Sequence, residues 1–460
     1  MEHNKKNYNR LLVIVCLASG LVPFMGSSLN LALPFINKEL GLTAVTASWL
    51  QTIYLLSTAI FQIPSARIAD IIGRKKIFLI GILLFSISAF LSAFATSGEL
   101  LIFYRFLMGV GSAMAFSTTI AILVAKTPGH MRGKALGINT AAVYFSFAAA
   151  PIIGGALTQY LGWKSIFITS GIISLTTFIG GIFYIQDDWR SEEDTSFDYW
   201  GALLYAIGLS TLIYGFSKLP QFTGFILTFS GAFLLFYFGY FEKKQSSPVF
   251  NIQLFLENRV LRMSLLSALI NYSSTYAISF MLSIYLQYVR GLSPQEAGFI
   301  LVAQPLVMAF STIKAGSLSD RKSPTLLATL GMLIVAIGLM GLAFINESTP
   351  FAAIAVTLLF LGLGFGLFSS PNTNIIMGAV TNKDYSGASA SMGTMRLTGQ
   401  AFSMGLAMMA FSLTIGNTTF ESADGNSLVL ATRITFVVSS ILCLIGVYTS
   451  SIRKKQHIKL

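Results

Sequence analysis

The sequence predicts an all-α polytopic membrane protein, and three observations support this prediction. Of the 460 residues, 54% are hydrophobic and only 10% are charged, whereas a soluble domain carries about 25% charged residues. Long apolar segments follow one another along the chain, each near the roughly 20 residues that cross a bilayer as a helix. Short loops rich in lysine and arginine separate these segments. The composition therefore excludes an ordinary soluble domain.

Fourteen segments are long and apolar enough to be membrane-spanning helices. The first six lie near 11–33, 45–65, 76–96, 99–124, 134–158 and 164–186. Two more, near 199–217 and 222–241, form a hairpin between an acidic stretch and a polar connector. The last six lie near 263–288, 295–314, 324–345, 350–370, 386–414 and 430–452. We therefore expect an N-terminal six-helix bundle at 1–186, an inserted transmembrane hairpin with flanking cytoplasmic linkers at 187–262, and a C-terminal six-helix bundle at 263–460.

The distribution of basic residues supports this count. With the N-terminus in the cytoplasm, 23 of the 30 lysines and arginines fall in inner segments and 5 in outer segments, while Arg105 and Arg396 lie within spans. Cytoplasmic loops are enriched in lysine and arginine. The bias predicts an even number of spans, both termini in the cytoplasm and a multi-pass position in the cell membrane.

Other residue types exclude several classes of function. Cys16 and Cys443 lie in apolar segments, so they indicate no disulfide framework. The histidines, His3, His130 and His457, lie in polar flanks, which argues against a metal cluster. The net charge of +12 is interpreted as orientation against an anionic leaflet, and we expect no nucleic acid partner. No phosphate-binding G-x-x-x-x-G-K-[ST] loop is found. We therefore expect no enzyme activity, no cofactor and no metal.

A charged segment between the second and third helices has a shorter copy in the second half of the chain. The segment PSARIADIIGRKK spans 64–76, and its copy AGSLSDRK spans 315–322. Matching segments in two halves are typical of transporters built from repeats. We predict a conformational latch on the cytoplasmic side, with these residues: Asp70, Gly73, Arg74, Lys75, Asp320 and Arg321. A plain basic loop is the alternative.

Two arginines and one proline inside predicted helices are candidate functional residues. An arginine at membrane depth costs about 2.5–3.5 kcal/mol on insertion scales unless it meets water or a partner. Arg105 and Arg396 are therefore candidate functional charges, although Arg105 near a helix end could also snorkel to the interface. Pro151, followed by Gly154 and Gly155, can kink a helix and offer a flat surface to a neighbour. We predict a pivot or seal there; a packing kink is the alternative.

Polar side chains on several predicted helices are candidate contacts in a central cavity. These candidates are Asn30, Gln51, Tyr54, Asn139, Asn271 and Gln304. Each could equally form a hydrogen bond between helices. The 38 phenylalanines and 16 methionines suit an adaptable apolar cavity, although most of them are expected to face lipid.

Together these segments resemble the major facilitator superfamily, and in particular its fourteen-span drug:proton antiporter branch. The loop pattern Gly-x-Leu-Ala-Asp-Arg-x-Gly-Arg-Lys of that family maps onto 66–75, with Ala66 in place of the first Gly and Ile71 in place of an Arg. The family's fourth-helix arginine, with the glycines that follow it, maps onto Arg105, Gly109 and Gly111.

Two further family patterns complete the resemblance. The fifth-helix antiporter signature Gly-Pro-x-x-Gly-Gly maps onto 150–155, with Ala150 in place of the first Gly. The second-helix pattern of a Trp followed by a Tyr maps onto Trp49 and Tyr54. The resemblance covers most of the chain and implies two six-helix bundles that rock about a central cavity. It also implies export rather than import.

The first helix departs from the family pattern at a position that bears on function. The branch often reads Leu-Asp-x-Thr-Ile-Val-Asn-Val-Ala-Leu-Pro, and the matching run here is FMGSSLNLALP, with Met25 where the Asp stands. No other Asp or Glu lies deep in a predicted span. A buried cationic substrate requires a carboxylate partner, and proton coupling requires an acid that titrates. The acidic residue that usually provides both the partner for a cationic substrate and the titrating group for proton coupling is therefore absent from the first helix.

Three functional hypotheses follow. The first is a monomeric, secondary active multidrug efflux transporter for hydrophobic or amphipathic small molecules, with proton coupling implied by the resemblance. The second is an exporter of a lipid-like or anionic metabolite without the usual proton coupling, in which Arg105 and Arg396 are candidate anion partners. The third is a non-transporting membrane sensor on the same fold. The expected partners are the small-molecule substrate, protons and the lipid bilayer.

Overall fold

The computed structural model describes residues 2–128, 131–185, 197–245, 248, 250, 252–319, 321–380, 385–416 and 418–453. The first eight helices are α1 (Glu2–Leu40), α2 (Ala44–Ile72), α3 (Arg74–Ala93), α4 (Gly98–Lys126), α5 (Arg132–Leu161), α6 (Lys164–Tyr184), α7 (Tyr199–Lys218) and α8 (Phe222–Glu242). The others are α9 (Ile252–Glu257), α10 (Arg259–Thr275), α11 (Ala277–Ile284), α12 (Pro294–Leu301), α13 (Ala303–Ser319), α14 (Pro324–Leu342), α15 (Phe351–Gly378), α16 (Tyr385–Thr414) and α17 (Gly425–Ser451). One π-helical segment, Tyr285–Val289, follows α11.

The described helices confirm the all-α polytopic fold, and apart from the short α9 they form fourteen long units. Thirteen units within the described ranges are long and apolar enough to cross a bilayer. Two of them are composite: α10, α11 and the π-helical segment form one unit at 259–289, and α12 with α13 forms another at 294–319. The fourteenth unit is α16, a helix of 30 residues rich in Gly and Ser that falls outside those thirteen.

Local signals in the sequence explain where several helices begin. The hydroxyl oxygens of Thr43 and Ser97 accept backbone hydrogen bonds at the starts of α2 and α4. Ser293 and Glu296 form a capping box at the start of α12, in which each side chain bonds the other residue's backbone N–H. Gly73 separates α2 from α3 with φ of +130°, a backbone conformation that glycine adopts without steric cost.

The two halves of the chain repeat the same helix packing. In the first half, α3 packs on α4, and a Cβ on Gly81 would lie 2.8 Å from the carbonyl oxygen of Gly111. In the second half, α14 packs on α15, and a Cβ on Gly331 would lie 2.6 Å from the carbonyl oxygen of Gly364. Glycine permits this backbone approach because it has no side chain. The repetition supports a duplicated unit.

The remaining contacts place a cavity between the halves. In the first half α1 packs on α5 and α6, and α2 packs on α4; in the second half α10 packs on α16 and α17, and α13 packs on α15. The halves meet where α2 contacts α16 and where α5 contacts α12 and α13. The hairpin of α7 and α8 lies outside this arrangement, with α7 against α2 and α16.

The two ends of the molecule are named by the chain termini. Successive spans alternate in direction, so the start of α1 and the end of α17 lie at one end, called here the terminal face. The other end is called the opposite face. The division of the chain at 186 and 262 stays a prediction.

Candidate functional site

A cavity of about 280 Å³ lies between the two halves. Helices α1, α2, α4 and α5 supply one wall, and α10, α11, α13, α15 and α16 supply the other. Its aromatic lining residues are Phe116, Tyr144, Phe147, Tyr272, Tyr276 and Phe365. Among the described residues that line it, the charged one is Arg396, and none is an Asp or a Glu. The cavity is therefore aromatic, polar and without a carboxylate in its described wall.

Four carboxamide side chains face this cavity: Asn30, Asn139, Gln304 and Gln400. Each is at least nine-tenths buried. The side-chain oxygens of Asn30 and Asn139 are buried without a hydrogen-bond partner in the described part of the chain. Because a carboxamide carries both donors and acceptors, these groups offer unused hydrogen bonds to a molecule in the cavity.

Arg396 joins the two halves across the cavity. Its guanidinium carbon lies 5.0 Å from the centre of the Phe116 ring. Arg396 belongs to α16 and Phe116 belongs to α4, so this cation–π contact connects the second half to the first. Such a contact is worth about 0.5–2 kcal/mol. An anionic group in the cavity would compete with the ring for the guanidinium.

The structure places the six predicted cavity residues in two groups. Asn30, Asn139 and Gln304 line the cavity. Gln51, Tyr54 and Asn271 are fully buried behind its wall. Sequence reasoning missed Gln400 and the aromatic residues. Gln400 could have been found because it lies four residues after Arg396 on the same helix, and residues at that spacing share a helix face.

Arg105 is fully buried and does not line the cavity. Its Nε donates to the carbonyl oxygen of Leu50 at 2.9 Å, and its Nη2 donates to Gln51 Oε1 at 3.2 Å. The guanidinium also stacks over the Tyr54 ring, 4.3 Å from the ring centre. These partners are neutral, so the charge is stabilised by dipoles and an aromatic face rather than by a carboxylate.

Gln51 continues this network into the second half. Its Nε2 donates to the carbonyl oxygen of Gly26 at 2.7 Å and to the hydroxyl of Tyr276 at 2.9 Å. Tyr276 lies at the break between α10 and α11 and lines the cavity. The network thus connects a buried charge behind the wall to a side chain in the wall.

The helix that contains Pro151 packs tightly on both sides through its two glycines. A Cβ on Gly154 would lie 2.6 Å from the Ser28 Cβ on α1, whereas a Cβ on Gly155 would lie 2.6 Å from the Pro294 carbonyl oxygen on α12. Gly298 on α12 approaches the Pro151 carbonyl equally closely. This contact between halves is the place of the predicted seal, and its role stays a prediction.

Hydrogen bonds between the halves cluster toward the opposite face. Tyr160 donates to Gln295 Oε1 at 2.9 Å, and the Ala44 backbone N–H donates to the Thr418 carbonyl oxygen at 2.9 Å. Near them, Ser283 donates to the Asn30 carbonyl oxygen at 2.6 Å. These bonds lie at or near the ends of helices that point away from the chain termini. The halves are therefore tied together at the opposite face.

The predicted latch is described in part. Asp70, in the last turn of α2, forms an ion pair of 2.9 Å with Arg74, the first residue of α3, across the turn at Gly73. Lys75 follows in the first turn of α3. Asp320 lies outside the described residues, and Arg321 is exposed after α13. The role of these residues as a latch stays a prediction.

Met25, which replaces the acid of the family pattern, is fully buried outside the cavity lining. Its sulfur lies 3.3 Å from the hydroxyl of Ser170 on α6. Its neighbours Gly26 and Ser27 line the cavity instead. This position therefore contributes packing between α1 and α6.

Comparison with known families decides the identity of this arrangement. The family model described as Major Facilitator Superfamily matches residues 15–404 and 264–454. The chain belongs to the major facilitator superfamily. As a member of this superfamily it is a multi-pass membrane transporter for small molecules, and it is not an enzyme.

Several proteins with different named functions are similar to most of this chain. The riboflavin transporter RibZ of Clostridioides difficile is 28% identical over 440 residues, which cover 95% of each chain. The multidrug resistance protein Stp of Mycobacterium tuberculosis is 26% identical over 85% of this chain and 74% of its own. A bacterial homologue of the human lysosomal transporter Spinster, solved in an inward-facing and unoccupied conformation, matches with a TM-score of 0.72 at 16% identity, over 97% of each chain. The last match concerns the fold alone.

Proposed function

We propose that this transporter is a secondary active efflux protein for hydrophobic or amphipathic small molecules, of the multidrug type. It works by alternating access in the cell membrane, with both termini in the cytoplasm. The observation that carries the proposal is a cavity with walls from both halves, which are tied together at the opposite face. With the termini inside, this state receives substrate from the cytoplasmic side, and rocking of the halves then releases it outside.

Two further lines of support favour export. A relative that covers most of this chain is named a multidrug resistance protein. The Pro151, Gly154 and Gly155 motif corresponds to the antiporter signature of the family, and here it lies at the contact between α5 and α12. A motif at that contact is suited to control opening of the opposite face.

A second candidate is export of a neutral or anionic molecule without proton coupling through a cavity acid. The specific observation in its favour is the described cavity wall, which has Arg396 but no Asp or Glu. A desolvated cation in such a wall would lack a carboxylate partner, whereas an anion would meet Arg396. A relative named for riboflavin transport makes neutral aromatic molecules suitable probes.

Flux in proteoliposomes tests the proposal. The purified protein is reconstituted, and transport of riboflavin, ethidium and 1-naphthalenesulfonate is measured with and without an imposed pH gradient. We expect protein-dependent transport of at least one of these probes. Flux that ignores the gradient would remove proton coupling and favour the second candidate. Binding of the probes without any flux would favour a sensor over a transporter.

A cross-linked variant provides the matched control. Tyr160 and Gln295 meet through the tips of their side chains at the opposite face, so a reducible bis-methanethiosulfonate reagent can cross-link Tyr160→Cys to Gln295→Cys between the halves. We expect the cross-link to stop flux and reduction to restore it. Undiminished flux in the cross-linked protein would contradict alternating access through this face.

A further inference from the structure

The four carboxamides of the cavity wall indicate which kind of substrate the cavity binds. Asn30 and Asn139 come from the first half, and Gln304 and Gln400 come from the second half. Each of the four residues is at least nine-tenths buried, and in the described part of the chain the side-chain oxygens of Asn30 and Asn139 are buried without a hydrogen-bond partner. Buried polar groups are normally paired because an unpaired one costs about 1–3 kcal/mol. Two unpaired amide oxygens, in the same wall as the carboxamides of Gln304 and Gln400, therefore indicate a polar occupant.

The chemistry of a carboxamide narrows the kind of occupant. Each carboxamide has a carbonyl acceptor next to an N–H donor. The complementary partner is a group with a donor beside an acceptor, such as the –CO–NH– edge of a lactam or an imide. A hydroxyl can donate and accept but offers both through one freely rotating oxygen, and a purely apolar molecule would leave the carboxamides unpaired. The wall is therefore matched to amide-like edges.

The remainder of the wall adds a requirement for planarity. Six aromatic rings line the same cavity: Phe116, Tyr144, Phe147, Tyr272, Tyr276 and Phe365. Aromatic pairs in stacked or edge-to-face contact gain about 0.5–1.5 kcal/mol beyond the area that they bury. The volume of about 280 Å³ is near the lower end of small-molecule pockets, which hold roughly 300–1,000 Å³. A flat molecule of two or three rings fits this space.

The charge of the wall sets the preferred charge of the occupant. Arg396 is the charged side chain among the described lining residues, and its contact there is the neutral Phe116 ring. A charge-assisted hydrogen bond to an anionic group is roughly twice as strong as a neutral one. The wall offers no described carboxylate to a cation.

We propose that the cavity binds planar heteroaromatic molecules that carry a lactam or imide edge and are neutral or anionic. This inference deepens the proposed function and rests on the cavity being the transport site. The carboxamides bind the edge, the aromatic rings hold the plane, and Arg396 receives an acidic substituent. Cationic amphiphiles of the same size bind more weakly.

A ligand series on one scaffold tests this inference. The scaffold is 1,8-naphthalimide, with its N-methyl derivative, its 4-sulfonate and its 4-trimethylammoniomethyl derivative, each titrated by fluorescence into the full-length protein in nanodiscs. We expect N-methylation to weaken binding about fivefold to tenfold, since it removes the imide donor. We expect the sulfonate to bind about tenfold more tightly than the trimethylammonium compound. Equal binding of the N–H and N-methyl imides, or tighter binding of the cation, would overturn the proposal.

Three cavity variants test which side chains cause the preference for the imide N–H and the preference for the sulfonate. Asn139→Ala and Gln400→Ala each remove one carboxamide, and the N-methylation effect should shrink in at least one of them. Arg396→Gln should abolish the preference for the sulfonate. Arg262→Gln, the same substitution in the same half but outside the cavity lining, should retain that preference. Retention of both preferences in all of the cavity variants would refute the assignment.

The design separates failure of this inference from failure of the proposed function. The ligand series on the wild-type protein reads binding alone, so it remains decisive even if a variant folds poorly. Selective binding of imides without flux would contradict export but support the inference. Flux of ethidium, together with equal binding of the N–H and N-methyl imides, would support export but contradict the inference.

Discussion

Gln51 donates a hydrogen bond of 2.9 Å to the hydroxyl of Tyr276, and this bond joins the first half of the chain to the second. The same side chain accepts a hydrogen bond from Arg105 through its oxygen. One glutamine therefore connects the buried arginine of α4 to a tyrosine in the cavity wall. A ligand that moves Tyr276 would change the hydrogen bonding of Arg105 through this one residue.

Removing the Tyr276 hydroxyl should weaken closure of the opposite face. Tyr276→Phe deletes the bond to Gln51 with little change in volume, and one hydrogen bond contributes about 1 kcal/mol net. We expect a lower yield of the bis-methanethiosulfonate cross-link between Tyr160→Cys and Gln295→Cys. Tyr285→Phe is the control, because the Tyr285 hydroxyl donates to the Asn346 carbonyl within the second half. Equal yields in the two variants would refute a role for this bond in closure.

Adding a methyl group at Gly155 should separate α5 from α12. The new Cβ would lie 2.6 Å from the Pro294 carbonyl oxygen and 3.1 Å from the Gln295 Cα, and these backbone atoms cannot yield as a flexible side chain can. We expect Gly155→Ala to lower both the thermal midpoint and the yield of the cross-link between Tyr160→Cys and Gln295→Cys. Gly137→Ala lies on the same helix with open space around it and should stabilise the protein by about 0.5–1 kcal/mol. The same sign of effect in both variants would contradict close packing at Gly155.

Restoring an acid at the family position should not create a cation site. Met25 packs against Ser170 outside the cavity lining, so Met25→Asp would place a carboxyl group in a dry helix contact, at a cost of several kcal/mol. We expect a lower thermal midpoint and no gain in ethidium binding. Ser27→Asp places the acid in the cavity wall and should raise ethidium affinity. Tight ethidium binding by Met25→Asp would show that this position faces the substrate.

Arg453 should make stability depend on pH. Burial lowers the pKa of Arg453 to about 9, and its three side-chain nitrogens have no hydrogen-bond partner in the described part of the chain. A base with a lowered pKa destabilises the fold while it stays charged, so the cost is fully present below pH 9 and is relieved as the pH rises through about 9. Denaturant unfolding should show wild-type stability increasing from pH 8 to 10 relative to Arg453→Met.

The same variant makes a prediction at neutral pH. Replacing an unpaired buried charge with an apolar side chain of similar volume should stabilise the protein by about 1–4 kcal/mol at pH 7. Arg453→Lys keeps a charge at the site and should bring no such gain. A less stable Arg453→Met protein would mean that the guanidinium is bound by an anion in the membrane or at its surface.

Asp70→Asn should show whether the ion pair of Asp70 acts as a latch during transport or contributes only to stability. The pair with Arg74 is about one-third exposed, and such pairs contribute about 0.2–1 kcal/mol. We therefore expect little change in thermal stability but a clear loss of flux. Glu39→Gln removes an ion pair of 2.8 Å with Lys164 at the opposite face and should leave flux largely intact. Equal flux losses in both variants would count against a specific latch at Asp70.

Apolar length and basic loops were sufficient to predict the membrane fold. The fourteen units of the structure coincide with the fourteen predicted segments, since length and hydropathy are local properties of the chain. The break at Tyr276 was not predicted, because it depends on Ser403 of a neighbouring helix, whose hydroxyl oxygen accepts a hydrogen bond from the Ala277 backbone N–H. The break at Val302 was missed although Pro305, which lacks the N–H that would bond the Leu301 carbonyl, is a local signal for it. Likewise, composition could not reveal that α1 extends from Glu2 to Leu40.

The cavity was predictable only in part, for a related reason. A polar residue on a predicted helix can face a ligand, another helix or a buried network, and the sequence does not distinguish these surroundings. Asn30 and Asn139 face the cavity, whereas Gln51 bonds Arg105 and Tyr276 behind the wall. Arg396 was recognised because charge is rare within a span, but its partner Phe116 is one of many phenylalanines. Long-range packing decides these cases.

The composition of α16 has a consequence for biosynthesis. This helix is less apolar than the other spans, yet it packs against α2, α10, α17 and α7. Its small and hydroxyl-bearing residues gain little from lipid alone and much from neighbouring helices. We therefore expect its insertion to depend on α2, α7 and α10, which are synthesised before it, and on α17, which is synthesised after it. Substitution of α2 side chains that face α16 should then reduce the amount of correctly inserted protein in the cell. The correctly inserted fraction, once purified, should still transport normally.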